Sequence, residues 1–163
     1  MKRFLAWLCA LLSAIGLSAC DQFHIRELQP GVSSSHEVRD RFGAPQMEWR
    51  NEDGSVTWEY SRQPEGTECF MITIGPDGIL QRIEQVLNEA QFARVERGMV
   101  GDEGRRLLGK PASSQFFQLK QETVWDWRIS HGAPGTGDPV FFTVSFNTDG
   151  RVTGTGRYTQ YKH

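Results

Sequence analysis

The chain carries one pattern twice. Leu28, Gly31, Val32, Glu37, Phe42-Gly43, Pro45, Trp58-Glu59-Tyr60 and the run 70–74 before Asp77-Gly78 form the first copy. Val95, Gly98, Met99, Glu103, Leu108-Gly109, Pro111, Trp125-Asp126-Trp127 and the run 142–146 before Asp149-Gly150 form the second. Gly31 and Gly98 lie 67 residues apart, as do Trp58 and Trp125, whereas the Asp-Gly pairs lie 72 apart. The extra residues fall in the Gly/Pro loop 131–137, where an insertion is tolerated. A duplication restricts the fold to something that can be built twice from about 70 residues. A unit that small buries only about 60% of its unfolded surface, so the copies are expected to pack together.

Each copy reads alike. A short helix is expected over 23–28 and over 92–95, followed by a Gly turn. A second helix opens in the first copy with Ser34-Ser35-His36-Glu37, which fits a capping box. Val38 and Phe42 share its apolar face, and Gly43 and Pro45 end it. The second copy keeps Gly109 and Pro111 but places Gly104 where Val38 stood, so its helix should be the weaker. Period-two runs at 69–74 and 141–146 read as strands, Asp77-Gly78 and Asp149-Gly150 as hairpin turns, and 79–86 and 151–158 as return strands. The expected class is α+β: two tandem repeats, each two short helices packed on an antiparallel three- to four-stranded sheet.

The N-terminus reads separately. Lys2 and Arg3 precede an apolar run over 4–16, too short for the roughly 20 residues of a spanning helix. It has the form of a secretory h-region. Leu17-Ser18-Ala19-Cys20 resembles the lipobox of bacterial lipoproteins, which implies an acylated Cys20 and cleavage before it; the plainer alternative is a signal peptide with a cysteine at the cut. The expected organisation is a signal peptide over 1–19, a first repeat over 20–86 and a second over 87–163. Attachment to a membrane would then come from acyl chains on Cys20, since one chain holds weakly but several hold firmly. Asp21, next to Cys20, leaves inner and outer membrane both open.

Charge and cysteine usage narrow the function classes. The chain has 18 Lys and Arg against 20 Asp and Glu, with Lys2 and Arg3 inside the signal, so no basic footprint for nucleic acid exists. Cys9 leaves with the signal and Cys20 is taken by lipid, so Cys69 stands alone, as a small half-buried hydrophobe in a strand. Gly104 to Lys110 spells G-x-x-x-x-G-K, but Pro111 replaces the hydroxyl residue a phosphate loop needs, and Leu107-Leu108 belong to a helix. His24, His36, His131 and His163 are scattered without metal-ligand spacing. No catalytic residue, metal site or cofactor is assigned. The Trp-x-aromatic pairs Trp58/Tyr60 and Trp125/Trp127 are read either as core or as partner anchors, with Trp49 a further candidate.

Together, Leu28-x-x-Gly31-Val32-Ser33, Phe42-Gly43-x-Pro45, Asp53-Gly54, Trp58-x-Tyr60, Arg62-Gln63-Pro64 and Asp77-Gly78 resemble the BamE/SmpA/OmlA lipoprotein domain. The second copy resembles it through Val95-x-x-Gly98-Met99, Leu107-Leu108-Gly109-x-Pro111 and Trp125-x-Trp127. The resemblance implies a non-enzymatic accessory of outer-membrane β-barrel assembly and envelope integrity, with protein partners in that machinery and contact with phosphatidylglycerol. It places Arg62 on the contact surface; Glu59 departs from the aromatic residue usual at its position. The tandem form is also similar to β-lactamase inhibitory protein, which implies the alternative of a periplasmic module docking on an enzyme through an aromatic sheet.

Overall fold

The computed structural model describes residues 25, 27–133 and 137–161. Cys20, the signal segment, His24 and His163 lie outside them. The first repeat runs α1 (Ser35–Phe42), β1 (Met47–Arg50), β2 (Val56–Ser61), β3 (Cys69–Ile74) and β4 (Leu80–Gln85). The second runs α2 (Glu89–Phe92), α3 (Gly101–Leu108), β5 (Ser113–Phe117), β6 (Glu122–Ser130), β7 (Val140–Phe146) and β8 (Val152–Thr159). Each set of strands forms a four-stranded antiparallel sheet in chain order. The architecture is therefore α+β with two repeated units. Among the described residues no helix is long and apolar enough to cross a membrane.

Local chemistry explains the two main helices. Ser34 Oγ accepts the Glu37 N–H at 3.2 Å, while the Ser34 N–H donates to the Glu37 carboxylate at 2.7 Å. This reciprocal box satisfies two free N–H groups and holds the Glu37 carboxyl below its ordinary range. At the start of α3, Val100 has no side-chain oxygen to offer. Only the return half survives, Val100 N–H to the Glu103 carboxylate at 2.8 Å. Both helices end on a glycine at φ near +80°, Gly43 and Gly109. The short helix expected over 92–95 lies earlier, as α2, because the Asn88 side chain caps it by accepting the Gln91 N–H at 3.1 Å. Ahead of α1, helical geometry is described only at Ile25 and Glu27.

Burial along the strands shows how the layers stack. All six residues of β3 are buried, whereas β7 alternates over most of its length. A strand buried throughout is covered on both faces. Val38 and Phe42 of α1 cover one face of the first sheet, packing on Trp58, Tyr60, Phe70, Ile72 and Ile74. The opposite face presents Cys69 and Met71 to the second repeat, where they join Leu108, Trp127, Phe142, Val144 and Phe146 in one core. Helix α3 thus lies between the two sheets, and the order of layers is helix, sheet, helix, sheet. Cys69 is fully rather than half buried, and burial pushes its thiol well above the ordinary range.

Candidate functional site

Most of the aromatic residues expected to be candidate anchors are core. Trp58, Tyr60 and Trp127 are 6%, 2% and 0% exposed. Tyr60 Oη donates to the Gly43 carbonyl and Trp127 Nε1 to the Gly109 carbonyl, each at 3.0 Å. The two rings do the same work in each repeat: each ties the sheet to the glycine that ends its helix. Arg39 covers the Trp58 ring at 4.5 Å. Trp125 is only partly buried and packs on Trp127 and Phe146. Arg62 is half-buried, with its guanidinium 5.9 Å over Phe42. These positions do not converge on one surface.

The junction between repeats holds the strongest polar contacts. Glu59 is fully buried on the outer face of the first sheet, and Arg105 of α3 reaches its two oxygens at 3.3 Å each. The Lys110 N–H donates to the same carboxylate at 3.0 Å. Glu59 thus receives the neighbouring helix. Beside it, the Gln63 amide pairs with the Arg128 backbone, donating to its carbonyl at 2.8 Å and accepting its N–H at 3.0 Å. A side-chain amide here imitates a strand ladder.

The second repeat carries an open apolar surface. Helix α3 has Gly101 and Gly104 where α1 has Ser35 and Val38, so less of its sheet is covered. A groove of about 500 Å³ lies beside it, lined by Gly101, Phe116, Trp125, Phe146 and Asn147. Phe116 is 50% exposed, and beyond it Leu119 of the β5–β6 turn is fully exposed. All five residues of β5 are exposed, and among the described residues its only strand partner is β6. Edge strands are usually guarded by charge or proline. The other edges follow that rule: β1 carries Glu48 and Arg50, β4 carries Arg82 and Glu84, and β8 carries Arg157. β5 reads Ser-Ser-Gln-Phe-Phe and has no such guard. Sequence reading did not find this strand. The signal available was the 67-residue spacing, which sets Phe116 opposite Trp49 of β1.

The remaining motifs have structural roles. The G-x-x-x-x-G-K string is the last turns of α3 and its cap. His131 is exposed, and His36 lies on α1 3.4 Å from Asp40. Among the described residues no cluster of His, Cys, Asp or Glu has metal-binding geometry.

No family model matches the chain, and no curated protein does. A solved structure of a DUF4309 family protein, YjgB from Bacillus subtilis, is similar over 83% of this chain and 82% of its own, at 13% identity and a TM-score of 0.31. The absence of any matching family model or curated protein overturns the resemblance to the BamE/SmpA/OmlA domain, and with it the likeness to β-lactamase inhibitory protein. The physical reason lies in the residues that carried it. Gly31, Gly43, Gly54 and Gly78 all adopt positive φ, and Trp58, Tyr60 and Phe70 fill a core. Residues with these turn and core roles are set by the fold's construction, so their order by itself does not identify a family.

Proposed function

We propose that the chain is a lipid-anchored protein of the cell envelope that works by binding rather than by chemistry, and that β5 receives an extended segment of a partner protein. The observation that supports this is the uncharged, fully exposed edge of β5 beside the Phe116–Trp125–Phe146 groove. An added strand would pair with the free edge through its backbone, and the groove would take one of its apolar side chains. Anchoring rests on the Leu17-Ser18-Ala19-Cys20 pattern, and the non-enzymatic reading on the matched positions of the two repeats being core and turn residues.

The test is a photo-crosslinking amino acid placed at Phe117 in cells, followed by identification of adducts and membrane fractionation. Adducts that disappear with Phe116→Lys, in protein that remains folded and membrane-associated, support the reading. A folded protein in the envelope that gives no adduct at Phe117 overturns it. Recovery of barrel-assembly proteins among the adducts would extend the proposal to outer-membrane assembly, and fractionation decides which membrane Cys20 holds.

A further inference from the structure

A second concavity, of about 390 Å³, opens where the two repeats meet, away from β5. Its floor is apolar: Trp49 of β1, Met71 of β3, and Met99 just before α3. Its rim is basic: Arg82, Arg94 and Arg106. Two carboxylates, Glu84 and Glu103, also line it, but both are engaged. Glu84 pairs with Arg82 at 3.1 Å, and Glu103 accepts the Val100 N–H at the start of α3. Arg94 donates to the neutral Gln91 side chain, and Arg106 lies 4.8 Å over the Trp49 ring. Neither Arg94 nor Arg106 meets a carboxylate among the described residues.

Within a chain that is acidic overall, the partly or fully buried Trp49, Met71 and Met99 beside two exposed arginines that meet no carboxylate among the described residues form a complementary set. We infer that the junction cleft binds a small organic anion with a flat apolar body. The body lies on Met71 and Met99 next to the Arg106–Trp49 pair, and the acidic group meets Arg106, whose planar fork suits a carboxylate or sulfonate. Volumes of this size are ordinary for small-molecule sites. Because its walls come from both repeats, the cleft exists only while the repeats are docked.

The probe is naphthalene-2-sulfonate, titrated calorimetrically into the full chain in a non-ionic detergent, with detergent alone subtracted. Its neutral analogue, 2-naphthalenemethanol, serves as the second arm. One saturable site is expected for the sulfonate, with at least tenfold weaker binding of the neutral analogue and of the sulfonate to Arg106→Glu. Trp49→Phe should bind severalfold more weakly, and circular dichroism checks each variant for folding. If Arg106→Glu does not fold, Arg94→Glu carries the same expectation. Absence of saturable binding, equal binding of the neutral analogue, or undiminished affinity in the folded arginine variant would overturn the inference. Loss of β5 crosslinking leaves it untouched.

Discussion

Gly43 and Gly109 are the same residue in the two repeats, and substituting each by alanine separates backbone strain from packing at the junction. Both end a helix with nearly identical angles, φ 79° and ψ −162° for Gly43, φ 77° and ψ −171° for Gly109. Only glycine occupies that region readily, and another residue there costs about 1–3 kcal/mol. Their surroundings differ. A β-carbon on Gly43 would meet nothing within 4 Å. One on Gly109 would overlap Cys69 Sγ and lie 3.5 Å from Met71 Cε. Cys69 belongs to a strand covered on both faces and has little room to retreat, so overpacking adds about 1–3 kcal/mol. Gly109→Ala should therefore be the more damaging by roughly 2 kcal/mol. The assay is urea unfolding, comparing midpoints at unchanged slope. Cys69→Ala removes the clashing sulfur, so a double-mutant cycle with Gly109→Ala should show coupling of about 1 kcal/mol or more. Equal costs at Gly43 and Gly109, or no coupling to Cys69, would refute the placement of α3 against the first sheet.

Other expectations test separate features. Arg105→Met leaves Glu59 buried without its cation and should cost about 3 kcal/mol, with Glu59→Gln in the same chain restoring part of it, by the same urea assay. Val100 already has the extended φ and ψ of Ser34, −85° and 160° in both. Val100→Ser should thus gain a helix cap and about 0.5–1 kcal/mol, read as a raised midpoint. Burial pushes the Tyr60 hydroxyl up to about 12 from an ordinary 10. The fold therefore favours its protonated form: this contribution to stability is intact below pH 10 and is lost as pH rises from 10 to about 12. Ultraviolet titration of phenolate should show a latest-titrating tyrosine that Tyr60→Phe removes, while Tyr158, which burial also raises, is left in place.

The repeat was legible because it is written in residues with few alternatives. Positive φ at Gly31, Gly43, Gly98 and Gly109, and the hairpin turns at Gly78 and Gly150, leave glycine as nearly the only choice. Strand periodicity in 69–74 and 141–146 follows equally from the pleat. The site was less legible. Trp58, Tyr60 and Trp127 look like anchors in a list of letters, because an aromatic residue suits a core and an interface alike. Which one it serves depends on the glycine carbonyls that Tyr60 and Trp127 reach, and those contacts span 17 and 18 residues. The cleft was invisible for a related reason: it belongs to neither repeat, and residues such as Trp49 and Arg106 meet because the two repeats dock. β5 was missed because five uncharged, exposed residues show no hydrophobic alternation.

The same comparison explains why the second sheet does not seat a helix as the first one does. The outer face of the first sheet receives a helix because Cys69 is small enough to let the Gly109 backbone close on it. The 72-residue offset places Phe141 at the corresponding position of the second sheet and Thr143 at that of Met71. Phe141 stacks on Tyr158 with ring centroids 5.1 Å apart, and the Arg128 guanidinium lies 5.6 Å from its centroid. A helix ending in glycine would meet that ring where it needs a thiol-sized gap. Asp126 replaces Glu59, and Ser113 Oγ already donates to it at 2.8 Å. The second sheet has thus lost both the space and the free carboxylate that seat α3 on the first. The two like units therefore differ in the face each offers: a small thiol and a buried carboxylate seat a helix on the first sheet, and a stacked ring with a hydroxyl-bound aspartate stands in their place on the second.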